Sequence, residues 1–276
     1  MEVINTNPAG IGSFAAAIAT ANGNRSLSNT IVFDAPLAAQ TITISSELVI
    51  TKSVLIDASD APGLILDGDN TSTIFAISSA HTVYFSVLNL KIQNGFSIAN
   101  GGAVDAESTS RITLENDTFS DNYALENGGA IAMTAAYSSL VLQNCMFTGN
   151  TVGAVNQPVI ASGGAIAILG SNSRLNISQS RFSDNTAIGG NAGGVNGSAL
   201  GGAISMSGAS DALQISQQSR FFANQAMGTT LVGGARAGMA FGGAISITGA
   251  GSVANSIVGR PRSVAGVCTH TPANRQ

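Results

Sequence analysis

Residues 163–185 have the sequence GGAIAILGSNSRLNISQSRFSDN, and three further segments of the 276-residue chain follow the same plan. Each copy begins with a Gly-Gly-Ala triplet and ends with a Phe-x-x-Asn element. From the first glycine to the phenylalanine the four copies span 18, 19, 19 and 20 residues. The return from each asparagine to the next triplet is 6, 13, 16 and then 18 residues long. A constant interval joined to a growing one is typical of a stacked repeat protein.

Hydrophobic alternation within the copy predicts short strands. Ile166 and Ile168 alternate with small residues, a Gly-Ser-Asn turn follows, and Leu175 and Ile177 alternate again. Such short strands cannot bury their apolar faces alone, whereas coils stacked about 4.8 Å apart would align them into interior columns. The pattern predicts an all-β fold, a right-handed parallel β-helix. The hand follows from the usual chirality of parallel crossovers.

Each residue of the motif has an expected structural role. The glycines permit positive φ or close backbone approach at a corner, and the alanine suits a crowded inward position. The phenylalanines at equivalent places would stack through the core, and the asparagines would form a ladder of hydrogen bonds from coil to coil. The phenylalanines are Phe119, Phe147, Phe182 and Phe221, and the asparagines are Asn122, Asn150, Asn185 and Asn224.

The chain is expected to form one solenoid domain over residues 1–250. Near its start, SFAAAIATAN predicts a capping helix over residues 12–22, with Ser13 as the N-cap and Phe14 and Ile18 on one face. A cap is needed because an open strand edge pairs with other chains. Irregular early coils are expected over about residues 40–95, repeat coils over 101–248, and an irregular, truncated tail over 251–276.

Composition excludes several classes of function. Charged residues make up 9% of the chain and the net charge is −4, which disfavours a nucleic-acid partner. Mean hydropathy is +0.29, but no run approaches the roughly 18 apolar residues of a membrane helix. Cys145 and Cys268 are too far apart in sequence to suggest a disulfide framework. We expect any signal peptide and anchor to lie outside these residues.

The triplets that lead to FSDN, FTGN, FSDN and FFAN resemble the repeats of the polymorphic outer membrane protein family, typified by autotransporter passengers of the chlamydial type. The run GSFAAAIATANGNRSLSNTIVFDAP and the segment LNLKIQNG resemble parts of the pectin-lyase-like superfamily of right-handed β-helices. The resemblance covers residues 1 to about 250. It implies a secreted or cell-surface, outer-membrane-associated passenger, often adhesive or self-associating.

The superfamily that the chain resembles includes polysaccharide lyases and glycosidases. Glycosidases need paired carboxylates, and lyases need acidic calcium ligands. Asp121 and Asp184 both follow the motif phenylalanine by two residues, with Gly149 on the coil between them. Two coils would separate the carboxylates by about 9.6 Å. We favour turn aspartates kept apart by a neutral residue, because no third acid, histidine or arginine reaches this column.

Other polar groups suggest sites only weakly. Arg111 and Arg174 occupy equivalent positions with Ser139 between them, which fits a solvated face better than an anion site. The densest acidic group could hold calcium, but its spacing matches neither an EF-hand nor a nonapeptide calcium repeat, so we favour solvated turns. The histidines are isolated, and the tyrosines form no aromatic strip. The acids are Asp57, Asp60, Asp67 and Asp69, and the others are His81, His270, Tyr84, Tyr123 and Tyr137. We predict no catalytic, cofactor-binding or metal-binding residue.

The growing returns, residues 151–162, 186–200 and 225–241, should emerge side by side at one corner as surface loops. They are rich in Gly, Ala and Val, which suits either a self-associating surface or tolerated insertions without a ligand. Our first hypothesis is a non-enzymatic passenger in adhesion or surface structure, bound to a host or neighbouring cell or to itself. The alternatives are a pectin-lyase-like carbohydrate-active enzyme and a fragment whose activity lies in an absent C-terminal region.

Overall fold

Short parallel strands stacked one above another make up most of the described structure. The computed structural model describes residues 1–25, 28–155, 159–192, 195–216, 218–228, 239–255 and 267–269. The chain visits three long sheets, which we name C, A and B, in that order in each repeat coil. Later coils add a fourth sheet, D, after B, and a fifth, E, before the next strand of C. This repeated circuit of parallel strands is a parallel β-helix, as the repeat predicted.

The strands have the following bounds. Sheet A contains Glu2–Val3, Asn29–Phe33, Val54–Asp57, Val83–Leu88, Ser110–Glu115, Ser139–Gln143, Arg174–Ser178, Ala212–Ile215 and Val253–Asn255. Sheet B contains Thr41–Thr43, Ile65–Asp67, Lys91–Gln93, Thr118–Ser120, Met146–Thr148, Arg181–Ser183 and Arg220–Phe222. Sheet C contains Leu48–Ile50, Phe75–Ile77, Val104–Ala106, Ile131–Met133, Ile166–Ile168, Ile204–Met206, Ile245–Ile247 and Val267–Thr269.

The two shorter sheets and the remaining elements are these. Sheet D contains Phe96–Ser97, Tyr123–Ala124, Thr151–Gly153, Thr186–Ile188 and Gln225–Met227, and sheet E contains Ala161–Ser162, Ala199–Leu200 and Ala240–Phe241. An antiparallel pair, Asn191–Ala192 and Val195–Asn196, lies between a D strand and an E strand. One α-helix spans Phe14–Gly23 and one 3₁₀ turn spans Ala35–Leu37.

The register places equivalent motif residues directly above one another. Ile131 pairs with Ile166, which pairs with Ile204 on the following coil. The four motif phenylalanines form a continuous stack inside the coils, with ring centroids 4.9, 4.8 and 4.7 Å apart and interplanar angles of 4°, 2° and 3°. Because the ring spacing equals the strand spacing, one phenylalanine per coil fills the same part of the core without a gap.

The Gly-Gly-Ala corner is confirmed in detail at residues 163–165. Gly163 has φ +69°, and a side chain there would collide with the carbonyl oxygen of Ile166. A side chain on Gly164 would collide with the carbonyl oxygen of Gly202 on the next coil. Ala165 is fully buried. The triplet therefore needs glycine for two different reasons, first a left-handed conformation and then contact between stacked backbones.

The N-terminal helix covers the first coil as predicted. It begins at Phe14, two residues later than expected, and the Ser13 hydroxyl accepts a hydrogen bond of 3.2 Å from the Ala16 amide. Phe14 and Ile18 are buried, and the Phe14 ring lies 5.3 Å from Phe33 and 6.1 Å from Phe75. The helix thereby closes the apolar interior at this end.

The expectation of an irregular tail from residue 251 is wrong for two segments. Val253–Asn255 pairs with a strand of sheet A, and Val267–Thr269 pairs with Ile245–Ile247 of sheet C. The coil pattern continues here without a Phe-x-x-Asn element because strand pairing depends on backbone hydrogen bonds, which different side chains can accompany.

The growing returns are not simply surface loops, which corrects our expectation. Their first residues form sheet D and their last residues form sheet E, so the returns leave and rejoin the coils in register. A second, smaller core of small residues lies between these sheets: Ala124, Val152, Ala161, Ala187 and Ala199. We call sheets D and E together the ridge. Residues 156–158, 193–194 and 229–238 of the returns lie outside the described part.

Candidate functional site

The motif asparagines form the predicted ladder beneath the corner between sheets B and D. Asn150 is buried, and its amide oxygen accepts hydrogen bonds of 3.1 and 3.0 Å from the backbone and side-chain amides of Asn122. Its own side-chain amide donates to Asn185 at 2.9 Å and to the carbonyl of Phe119 at 3.0 Å. Asn185 makes the corresponding bonds with Asn224. These residues are therefore structural, as expected.

Asp121 and Asp184 lie at the turn after sheet B, with Gly149 between them as the spacing predicted. Both aspartates are exposed and have positive φ, 55° and 58°, and Gly149 has φ 67°. Asn, Asp and Gly are the residues that tolerate this left-handed conformation, which accounts for all three residue types. The corner geometry explains the aspartates without a catalytic role.

Arg111 and Arg174 lie on the outer face of sheet A in register with Ser139 between them. The guanidinium group of Arg111 donates a hydrogen bond to the backbone carbonyl of Tyr137. Arg174 is exposed. The two cations are thus separated by a whole coil, and the structure does not bring them together at one anion site.

The four early aspartates do not converge on a cation position. Asp57 ends a strand of sheet A and accepts hydrogen bonds from the backbone and hydroxyl of Ser59. Asp67 lies in sheet B, where its carboxylate oxygens accept from Gln93 and Asn94. Within the described ranges, no group of three or more His, Cys, Asp or Glu side chains could hold a metal ion.

Partial burial raises the pKa of the Asp67 carboxyl, but other interactions outweigh burial. These are the hydrogen bonds from Gln93, from the Asp69 backbone and from Asn94, together with the nearby charge of Lys91. The resulting pKa is lower than the usual value of 3.8. Asp67 is therefore an ionised carboxylate that accepts hydrogen bonds from amide groups. The remaining two aspartates of the group, Asp60 and Asp69, are exposed.

The histidines and tyrosines are dispersed. His81 is exposed, and His270 lies outside the described residues. Tyr84 is exposed on sheet A and Tyr137 at the corner between sheets C and A, where its φ is 59°. Tyr123 belongs to sheet D and stacks on Phe96, with the ring centroids 5.6 Å apart.

Sequence reasoning missed a buried polar column at the corner between sheets A and B. Asp117, Cys145 and Ser180 follow one another here on successive coils, and all three are buried. The Asp117 carboxylate accepts from the backbone amide of Leu90 at 2.9 Å, and Ser180 accepts from the amide of Cys145 at 3.1 Å. The column caps backbone donors, as the asparagine ladder does, with several residue types instead of one.

Burial strongly perturbs the titration of this column. It raises the pKa of Asp117 to about 8, against the hydrogen bonds from Leu90 and the Glu115 backbone, and the Glu115 charge adds to the rise. It likewise raises the pKa of the Cys145 thiol to about 12, so this free cysteine stays protonated. A raised pKa is common in catalytic acids, but neither group is accessible to a substrate. Both are structural.

Asp105 is a second perturbed carboxyl, on the outer face of sheet C next to Ala76 and Ala132. Burial raises its pKa to about 7, with contributions from the charges of Glu107 and Glu47. Its Oδ1 atom has no hydrogen-bond partner in the described part of the structure. Below about pH 7 the neutral acid is favoured, first because burial disfavours the charged form and then because a third charge beside two glutamates is costly.

A polar groove of about 400 Å³ runs over the outside of the same A–B corner. We call it the corner groove; the lining residues that matter here are Asn116, Asn144, Gln179, Arg181, Gln218 and Arg220. The amide residues occupy the left-handed corner position on four successive coils, with φ between 51° and 67°. The arginines begin successive strands of sheet B and pair in register.

Three side-chain interactions order the corner groove. The Asn144 side-chain amide donates to the Asn116 oxygen at 2.8 Å, and Asn116 donates to Asn89 at 3.1 Å. The Arg181 guanidinium lies 4.2 Å from the centre of the Phe222 ring. The sequence contained a signal for this site that we did not use, since an arginine directly precedes the motif phenylalanine in two consecutive copies.

Two further findings concern membrane-spanning helices and similarity to known proteins. In the part of the chain that the structure describes, no helix has both the length and the apolar character needed to cross a bilayer. Comparisons of the chain with protein-family models, with curated proteins and with solved structures found no match.

Proposed function

We propose that the protein is a non-enzymatic, secreted or surface-exposed β-helix passenger that acts in adhesion or surface structure. The observation that carries this proposal is that the repeated residues serve packing and hydrogen bonding within the fold. The phenylalanine stack, the asparagine ladder and the Gly-Gly-Ala corner each have a packing or hydrogen-bonding role. What varies between coils is the outer surface and the ridge, and variable surface on a rigid scaffold is where solenoids bind partners.

The composition of the ridge supports the same proposal. Residues 151–162 and 186–200 contain no charged side chain, and residues 225–241 contain one, Arg236. Exposed apolar side chains occur in the strands of the ridge or within two residues of them: Ile98, Val155, Ile160, Met227 and Met239. A stiff, elongated body with an uncharged apolar margin suits contact with another surface better than turnover of a small substrate.

Adhesion is tested directly with beads coated with the purified chain and incubated with cultured cells. We expect the beads to bind cells more than beads coated with the heat-unfolded chain or with an unrelated β-helix protein. Equal attachment of all three kinds of bead would contradict an adhesive function.

A separate assay tests the non-enzymatic part of the proposal. The protein is incubated with polyuronides, and unsaturated products and new reducing ends are followed. We expect no turnover. Robust turnover that Asp121→Ala abolishes would overturn the proposal in favour of a carbohydrate-active enzyme.

A further inference from the structure

The corner groove contains two cations on neighbouring coils without an opposing anion. Arg181 and Arg220 pair in register on adjacent strands of sheet B, and both are exposed. Like charges directly opposite each other on neighbouring strands are destabilising. No residue that lines the groove is acidic, and no ion pair forms within the described ranges. Asp184 follows Arg181 by three positions, just beyond the other end of the same strand, and does not line the groove. In sheet A, Glu115 lies two coils away from Ser178, which is in the coil of Arg181.

Arg181 is also preorganised. The contact with Phe222 holds the Arg181 guanidinium group against an aromatic face, which limits its rotamers before any ligand arrives. A guanidinium group presents a planar fork of donors that matches a carboxylate or sulfate in two hydrogen bonds. An anion placed between Arg181 and Arg220 would relieve their repulsion, and Arg181 would lose little side-chain entropy on binding.

The amide side chains indicate a polymer rather than a small ion. Asn116, Asn144, Gln179 and Gln218 lie one per coil along the groove, which gives a repeat of about 4.8 Å over roughly 14 Å. Each amide offers both a donor and an acceptor, and Gln179 and Gln218 make no side-chain hydrogen bond to other described residues. The rise of about 4.8 Å per coil along the axis is close to the length of one sugar unit in an extended chain, so successive sugars would meet equivalent amides.

We propose that the corner groove binds an acidic oligosaccharide laid along the β-helix axis, with its carboxylate or sulfate groups on Arg181 and Arg220 and its hydroxyls on the amides. This rests on the proposed adhesive function and names a ligand class for it. Other polymers fit less well. The described lining of the groove is polar and offers no apolar pocket for a peptide. Two cations are few for a nucleic acid.

The test is calorimetric titration of the purified chain with five probes. They are a heparin-type sulfated hexasaccharide, an oligogalacturonate of similar length, a neutral dextran oligosaccharide, polyglutamate and a single-stranded oligonucleotide. We expect at least one of the two acidic oligosaccharides to bind, with an affinity that falls as salt rises, and dextran not to bind. The sulfated and carboxylated probes distinguish the two sources of the anion.

Variants locate the site. The double variant Arg181→Ala/Arg220→Ala should lose affinity at least 10-fold, and Gln179→Ala about 3-fold. The matched control is Arg111→Ala/Arg174→Ala, which removes the same charge from the outer face of sheet A and should bind as the original chain does. Circular dichroism and thermal melting check that every variant is folded.

Several results would overturn the proposal: no binding of either acidic oligosaccharide, equal losses in the two double variants, or tighter binding of polyglutamate or the oligonucleotide. Bead adhesion separates this proposal from the previous one. Adhesion without oligosaccharide binding would refute the groove proposal and leave the adhesive function standing. Oligosaccharide binding without adhesion would refute the adhesive function.

Discussion

The main core and the ridge are built from the same coils but follow different rules. In the coil that contains Phe147 and Val152, the phenylalanine is buried in a stack of parallel rings, whereas the valine is buried five residues later in a cluster made otherwise of alanines. The chain length between motif elements is nearly constant around the main core and grows around the ridge. Large side chains that must stay in register tolerate little change in the length of the chain between them, whereas a thin layer of small residues tolerates more.

The largest expected effect lies in the main core. Phe147→Ala should lower the free energy of unfolding by about 3–5 kcal/mol, because it leaves a cavity between the rings of Phe119 and Phe182. Urea unfolding followed by circular dichroism measures the change. A loss below about 1 kcal/mol would mean that the coils collapse into the cavity and that the stack is not a rigid column.

The asparagine ladder should be nearly as sensitive. Asn150→Ala removes the acceptor of both Asn122 amide groups and a donor to the Phe119 carbonyl, all buried, at a cost of about 2–4 kcal/mol. The matched control is Asn144→Gly at the exposed asparagine ladder of the A–B corner. Glycine tolerates the left-handed conformation of this residue and water replaces the lost bond, so the cost stays under about 0.5 kcal/mol. Equal costs in the two variants would show that burial does not distinguish the ladders.

A pH effect of intermediate size is expected at Asp117. Its folded pKa is about 8 against 3.8 for the ordinary carboxyl, so the unfolded chain releases this proton first. Asp117 therefore lowers stability progressively as pH rises from about 4 to about 8, and its full stabilising effect is present only below that range. Asp117→Asn should remove this pH dependence, which is on the order of a few kcal/mol at about 1.4 kcal/mol per pKa unit.

The readout is the difference in unfolding free energy between Asp117→Asn and the original chain at about pH 4.5 and at about pH 7.5, each condition being about half a unit inside the expected range. The variant should gain stability relative to the original chain at the higher pH. Asp121→Asn, at an exposed corner, is the control and should show no such gain. Parallel pH profiles for the Asp117 variant and the original chain would contradict the buried, protonated state.

The smallest expected effect lies in the ridge. Val152→Ala removes the bulk of one buried side chain among alanines and should cost roughly 1–2 kcal/mol, at about 0.8 kcal/mol for each buried carbon. The same unfolding experiment compares it with Phe147→Ala in the same coil. A cost equal to that of the phenylalanine variant would mean that the ridge is part of one cooperative core, and the contrast drawn above would be lost.

Much of the fold followed from local pattern. Ser13 and Phe14 predicted the capping helix, and the spacing of Asn150 and Asn185 predicted a ladder that the structure confirms. The ridge did not follow, because its small residues lie in returns of different lengths. The amides of the corner groove did not follow, because they are not of a single residue type. The left-handed corner is occupied by Asn116, Asn144, Gln179 and Gln218 in turn, which have a backbone conformation in common rather than a side chain.

The sequence alone was sufficient to predict a parallel β-helix, its capped end and the structural role of the motif residues. Those features repeat, and stacking strands at a fixed spacing converts a repeat in sequence into a column in space. Tertiary structure alone revealed that Arg181 lies beside Arg220 and against Phe222, and that the returns pair into a second layer. Such contacts join residues on neighbouring coils that are about forty positions apart in sequence. That sequence separation depends on the length of the return between the two coils.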